Sequence, residues 1–283
     1  MLSYQHAYHA GNPADVLKHS VLCWVLQYLS QKDKPFYCHD THAGRGVYWL
    51  NSHEMQKTGE HLQGISALWA QPSTPPALLP YLNSVAAFNG GQRHGVLRRY
   101  PGSPLLMQHW LRASDRLGCT EMHPQEYLAL KQALPRHRRV KVSRVDGYPA
   151  LLAALPPLEK RALVLLDPSY ELVSDDTAVM QAVQGGLARC AQGIFMVWYP
   201  LVNAARTRDV LYKAQRLVTH DLLQIELQTQ PPTGGKGMYG SGLLIFNPPW
   251  QLDTAMAEAL PWLVDRLAPN GGSWRVTWLQ PPT

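Results

Sequence analysis

Residues 35–46 read PFYCHDTHAGRG, a short apolar run that passes directly into an acidic residue and a Gly-rich turn. The run 35–40 predicts a buried β-strand. The turn that leaves it, Asp40-Thr41-His42-Ala43-Gly44-Arg45-Gly46, lets a ligand approach the backbone closely and can present free N–H groups to it. It holds only Gly44 and Gly46, not the G-x-G-x-x-G fingerprint, which argues against a nicotinamide dehydrogenase. The same pattern recurs along the chain. A strand at 117–122 ends at Glu121, one at 139–145 runs into Asp146-Gly147, and one at 162–167 runs into Asp167-Pro168-Ser169-Tyr170. Further strands are predicted at 193–199, 222–228 and 242–247. Helices are predicted at 104–116, 124–134, 176–191 and 203–217, with a last one at 251–267. The first helix is punctuated by Asn12 as its cap, Pro13 at its first position and Asp15 in its first turn. Seven strands separated by helices predict an α/β fold with a mostly parallel, doubly wound sheet. In such a sheet four successive polar turns share one edge, the edge where ligands bind.

Between the first and second predicted strands lie far more residues than one crossover needs. The surplus, 51–100, reads as a small helical insertion, leaving 1–50 and 101–283 as the parent domain. The 283 residues carry 46% hydrophobic and 16% charged side chains, enough apolar surface to exclude wholesale disorder. No apolar run reaches the roughly 18 residues of a membrane span. The opening MLSYQHAYHAGNPADVLKH lacks the basic-then-apolar order of a signal peptide, so a soluble protein without one is expected. Cys23, Cys38, Cys119 and Cys190 form no C-x-x-C pair and are expected as free thiols, which points to the reducing cytoplasm. The H-x-x-H spacings His6/His9 and His39/His42 lack a supporting ligand set, so no metal is expected. Net charge is +6, and it is concentrated: Arg93 to Arg144 holds eleven Lys/Arg against three Asp/Glu. Such a block suggests a polyanionic partner.

The order and spacing of the four turns resemble those of class I S-adenosylmethionine-dependent methyltransferases. The fourth turn, LVLLDPSY, resembles the [DN]-P-P-[YFW] signature of enzymes that methylate exocyclic or amide nitrogens. An adenine amine is a poor nucleophile because its lone pair is delocalised into the ring. A carboxylate at Asp167, with the Pro168 carbonyl, can accept its hydrogens and aim the nitrogen in line at a sulfonium methyl. Tyr170 can stack on an everted base. Asn247-Pro248-Pro249-Trp250 matches the generic signature better, but it follows the last predicted strand, so the chemistry is assigned to DPSY.

Segments in order from residue 2 to 250 carry a more specific resemblance: LSYQHAYHAGNPADVLKH, DTHAGRGVY, TGEHLQGI, RYPGSPLL, TEMHP, DGY, LLDPSYE, WYP and NPPW. Together they are similar to the bacterial 23S rRNA adenine-N6-methyltransferase J family. That resemblance implies a Rossmann-like fold, S-adenosylmethionine as donor and 23S rRNA as substrate. It implies cofactor contacts from His19, His42, Ser103, Glu121, Asp146, Gly147 and Asp167, in the setting of the Gly44 turn. Asp167 is implied as the catalytic acceptor, with Tyr4, His6 and Lys18 at the substrate base. A monomer is expected. The neighbouring possibilities are a DNA adenine or protein-amide methyltransferase, and a non-catalytic RNA-binding assembly factor that keeps the fold. Ser169 departs from the family signature, which has a second proline there. Proline would fix φ and remove an N–H, so Ser169→Pro tests how far the turn depends on it. Turnover should change by less than about tenfold in a methyl-transfer assay; a far larger gain would show the natural turn to be crippled.

Overall fold

The computed structural model describes residues 5–93, 95–171, 174–232 and 237–282. Ten strands form: β1 (Tyr37–Asp40), β2 (Val47–Trp49), β3 (Arg99–Pro101), β4 (Arg116–Thr120), β5 (Val140–Ser143), β6 (Ala162–Leu166), β7 (Ile194–Leu201), β8 (Leu222–Gln228), β9 (Gly240–Phe246) and β10 (Ser273–Gln280). Eight of them build one sheet in the order β10-β8-β9-β7-β6-β1-β4-β5, while β2 and β3 pair apart from it. The pairs among β5, β4, β1, β6 and β7 are parallel. β9 runs antiparallel between β7 and β8, and β10 antiparallel to β8.

The expected class therefore stands, with one strand more than the seven expected. β10, SWRVTWLQ, is a half-exposed edge strand. Its polar residues interrupt the apolar run that reveals the buried strands, so its signal is weak. Helix 104–116 was expected too long: α5 (Ser103–Trp110) stops six residues earlier, and Arg116 already belongs to β4.

Both faces of the sheet are covered. Alternation in β6 directs Leu163 and Leu165 into one core, and Ala162, Val164 and Leu166 into the other. The first core holds α1 (Pro13–Ser30), α5, α6 (Pro124–Ala133) and α10 (Leu252–Leu267). The second holds α7 (Gly147–Ala154), α8 (Ser174–Arg189) and α9 (Ala204–Gln215). Residues 51–100 form α2 (His53–Thr58), α3 (Ile65–Trp69) and α4 (Leu79–Phe88), and their apolar side chains, Met55, Ile65 and Tyr81 among them, enter the first core. Sandwiched between the sheet and α4, α1 is apolar nearly all round. Asn12 caps it, accepting from the Asp15 N–H at 2.9 Å. Even so, this buried helix carries Asp15, Lys18 and His19, each no more than 4% exposed. Ionisable groups in such a place need partners or a purpose. All four cysteines are buried free thiols. Among the described residues no helix is long and apolar enough to cross a membrane.

In the sheet interior the Tyr199 hydroxyl donates to Glu226 Oε1 at 2.8 Å, and Gln224 Nε2 donates to the same oxygen at 2.7 Å. Tyr199→Phe removes one donor from a buried carboxylate without opening a large cavity. It should lower unfolding free energy by about 1–3 kcal/mol in urea titrations; an unchanged midpoint would show that water replaces the hydroxyl.

Candidate functional site

The strand order reverses between β1 and β6: the chain moves from β1 to β4 and β5 on one side, then to β6 and β7 on the other. The loops leaving β1 and β6 therefore diverge, and a crevice opens at their carboxyl ends. A cleft of about 1520 Å³ occupies this edge. His6, Lys18, His19, His42, Gly44, Ser103, Glu121, Gly147, Asp167, Pro168 and Tyr170 all line it. Asp146 stands just behind, exposed, its Oδ1 accepting from the Tyr148 N–H to cap α7. Tyr4 lies outside the described residues.

The β1 turn is shaped by its neighbours. Gly44 and Gly46 adopt φ of +60° and +82°, where a side chain is strained. A Cβ on Gly147 would run into the Thr41 carbonyl oxygen, so only glycine lets the β5 turn press against the β1 turn. The Gly44 N–H donates to Glu121 Oε2 at 2.8 Å and the His123 N–H to Oε1 at 2.7 Å. Each carboxylate oxygen keeps a second lone pair for a ligand. Burial raises the Glu121 pKa, although both N–H groups pull it down.

Opposite, Lys18 Nζ bridges two carboxylates, Asp167 Oδ2 at 2.5 Å and Asp15 Oδ1 at 2.8 Å. Burial disfavours the ammonium, but Asp15 and Asp167 outweigh it and hold the Lys18 pKa above its ordinary value. Asp15 is likewise opposed by burial, yet His6 and Lys18 keep it well below the carboxylate range. Its Oδ2 also accepts from His6 Nε2 at 2.9 Å and from the Gly11 N–H at 2.8 Å, fixing the segment before α1. Among the described residues Asp167 Oδ1 has no donor. His6 and His9 serve different carboxylates, His9 Nδ1 reaching Glu60 at 2.8 Å, and no group of three His, Cys, Asp or Glu gathers as for a metal among the described residues.

The other expected residues have distinct surroundings. His19 Nδ1 meets the Tyr100 hydroxyl at 2.6 Å, while its buried Nε2 has no partner. Desolvation lowers its pKa to about 3, and that of His42 to about 4, so both rings are neutral near pH 7. Tyr170 takes φ of +53°, uncommon for an aromatic residue, and its hydroxyl donates to the Trp198 carbonyl at 2.5 Å. Arg206 lies 5.4 Å from its ring centroid and pairs with Asp176 through two bonds. Tyr170 is thus buried and tethered, with only a small part of its ring open to the cleft. Asn247 sits at the opposite edge. Its side chain donates to the Ala191 and Gly193 carbonyls before β7, because β9 is antiparallel. This removes NPPW from the cleft.

The sequence reading took Asp15 only as a helix-start acid and did not single out Arg206. The i, i+3 spacing of Asp15 and Lys18 was the available signal. Two members of the basic block are neutralised within the protein, Arg112 by Asp115 and Arg116 by Glu159, while Arg98, Lys131, Arg136, Arg138, Lys141 and Arg144 are exposed.

Asp40 provides a titration test. Burial raises its pKa from 3.8 to about 7, with the Ser103 hydroxyl drawing it down and Asp167 pushing it up. The folded state therefore holds a proton that the unfolded chain has lost between pH 4 and 7, and this contribution to stability declines as pH rises through that window. Asp40→Asn should gain on the wild type by roughly 1 kcal/mol per pH unit there, measured by urea unfolding. A constant difference would place Asp40 in its ionised form throughout.

The family model described as ribosomal RNA large subunit methyltransferase D, RlmJ, matches residues 33–280. Ribosomal RNA large subunit methyltransferase J of Escherichia coli (strain K12) is 43% identical over 282 residues, 99% of this chain and 100% of the relative. Its Haemophilus influenzae counterpart is 42% identical over the same shares. A crystallised protein of Legionella pneumophila str. Philadelphia 1 superposes with a TM-score of 0.87 at 36% identity, over 95% of this chain and 98% of that one. With a match of this extent, the chain belongs to the RlmJ family of ribosomal RNA large subunit methyltransferases.

Proposed function

We propose that this protein methylates the exocyclic N6 amine of one adenine in 23S rRNA, with S-adenosylmethionine as donor. The observation that carries the reading is the Lys18–Asp167 contact at the switch point of the sheet. It fixes one carboxylate oxygen, while the other has no donor among the described residues. The residues fit the cofactor. Gly44 and Gly147 keep the β1 and β5 turns free of side chains, Glu121 offers spare lone pairs to a ribose diol, and His19 Nε2 is an unpartnered buried nitrogen on the cleft wall. His42, Ser103 and Asp146, the last from behind the Gly147 turn, complete that side. When bound, the cofactor supplies an electrophilic methyl on a sulfonium.

The chain's own groups then position the acceptor. Asp167 Oδ1 and the Pro168 carbonyl accept the two amine hydrogens, which favours a pyramidal nitrogen with its lone pair directed at the methyl. Lys18, anchored by Asp15, prevents Asp167 from rotating away. Such positioning is worth several kcal/mol of barrier. The base enters beside His6, with Tyr170 and Trp198 beneath it; Tyr4, outside the described residues, is assigned to the base by the family resemblance alone. Residues 51–100 act as an inserted helical subdomain of the methyltransferase domain 1–50 and 101–283. Through Glu60 the insertion braces His9 and Asn12 at the cleft rim. The enzyme acts as a cytoplasmic monomer without a metal.

Asp167→Ala removes the acceptor oxygens and the charge. Methyl incorporation into unmodified 23S rRNA should fall at least about a hundredfold, with a circular dichroism melt confirming the fold. Wild-type turnover in the variant, or a preference of the wild type for duplex DNA or peptide over rRNA, overturns the assignment.

A further inference from the structure

The cleft is larger than one ligand requires, since pockets for a single small molecule run to about 300–1,000 Å³. Its charge is also divided. The carboxylates that line it, from Asp15 to Asp175, lie on the side of β1, β4 and β6 and their flanking helices or, for Glu60, in the insertion. From Trp198 onward the lining contains no acid among the described residues. It crosses the carboxyl ends of β7 and β8 and the start of β9 to the end of α10, through Thr229, Gln230, Met238, Ser241 and Asn270. One arginine stands on each bank. Arg206, from α9, is already neutralised by Asp176.

Arg266, from the last turn of α10, is not neutralised. Its guanidinium lies 3.9 Å from the Trp262 ring centroid and donates to the Trp262 carbonyl at 3.1 Å. Its buried Nε has no acceptor, and it pairs with no carboxylate among the described residues. The bond to the Trp262 carbonyl uses one of the five N–H groups a guanidinium offers. Stacking on an indole holds the rest in a fixed plane.

We infer that this acid-free half of the cleft binds the RNA strand flanking the target adenine, with Arg266 receiving the phosphate of an adjacent nucleotide. The inference rests on the rRNA reading above and deepens it. Neither the cofactor residues nor Asp167 occupies this half. A nucleotide whose base has been everted next door must carry its backbone onward, and this is the polar, positively charged continuation of the same groove. Thr229, Ser241 and Asn270 supply neutral donors and acceptors for sugar and base edges, and Met238 offers an apolar surface.

The experiment is a binding titration with a single-stranded rRNA fragment containing the target adenine, at several salt concentrations. Arg266→Gln should weaken RNA affinity about tenfold and reduce the slope of log K against log salt by about 0.7, the loss of one phosphate contact. Affinity for S-adenosylmethionine should stay within twofold. In parallel, phosphates on either side of the target are replaced one at a time by methylphosphonate. One such replacement should weaken wild-type binding several-fold and have little further effect on the variant. Should Arg266→Gln not fold, the methylphosphonate series on the wild type decides alone. Unchanged affinity and salt slope in a folded variant, or no sensitive phosphate within two nucleotides of the target, overturns the inference. A wild type that methylates no rRNA of any length would instead sink the reading it rests on.

Discussion

One ammonium shared between two carboxylates organises this molecule. Lys18 is buried in a helix packed into the core, where a lone charge would be strongly disfavoured. It is tolerated because Asp15, from the same helix, and Asp167, from the end of β6, close on it. The three groups sum to one negative charge, and the second oxygen of Asp167, a residue of the cleft wall, has no donor among the described residues. Removing Lys18 would leave two buried carboxylates without their cation, whereas removing either aspartate leaves Lys18 paired with the other. The arrangement also fixes the segment before α1, since Asp15 holds His6 and the Gly11 N–H.

Much of this was legible in the residues. Asp40 to Gly46, Glu121 and Asp167 each follow a buried parallel strand, and Asp146-Gly147 follows β5, a half-exposed parallel edge strand whose Val140 and Val142 alternate with polar residues. The turns could therefore be placed on one edge without coordinates. The choice between DPSY and NPPW followed from strand order, and the antiparallel run of β9 places Asn247 at the far end of the sheet. What the sequence hid has physical causes. β10 alternates polar and apolar residues at an exposed edge, so its signal is weak. Arg206 and Arg266 are ordinary helix arginines by pattern, and only tertiary folding brings them to the cleft.

Tyr170 was legible in position but not in manner. An aromatic residue after Asp-Pro-Ser suggests a platform for a base. The structure makes it first a tether, with its hydroxyl on the Trp198 carbonyl and Arg206 against its ring. A residue with positive φ persists only where its surroundings over-determine it, and those two contacts do so here. The Asp167 turn is thereby stiffened from its far side, and Ser169 can stand where a proline would otherwise supply rigidity.

The central position of β1 has a further consequence, for the order of assembly. Lys18 and Asp167 are 149 residues apart in sequence, and β1 pairs with strands that emerge long after it. Loop closure over such distances is slow, and a chain of this size folds through partly formed states. During synthesis α1 and its ionisable groups must wait, incompletely paired, until β6 arrives. The Lys18–Asp167 contact then dates from the docking of β6 on β1, with β7 to β10 still to be added to the sheet.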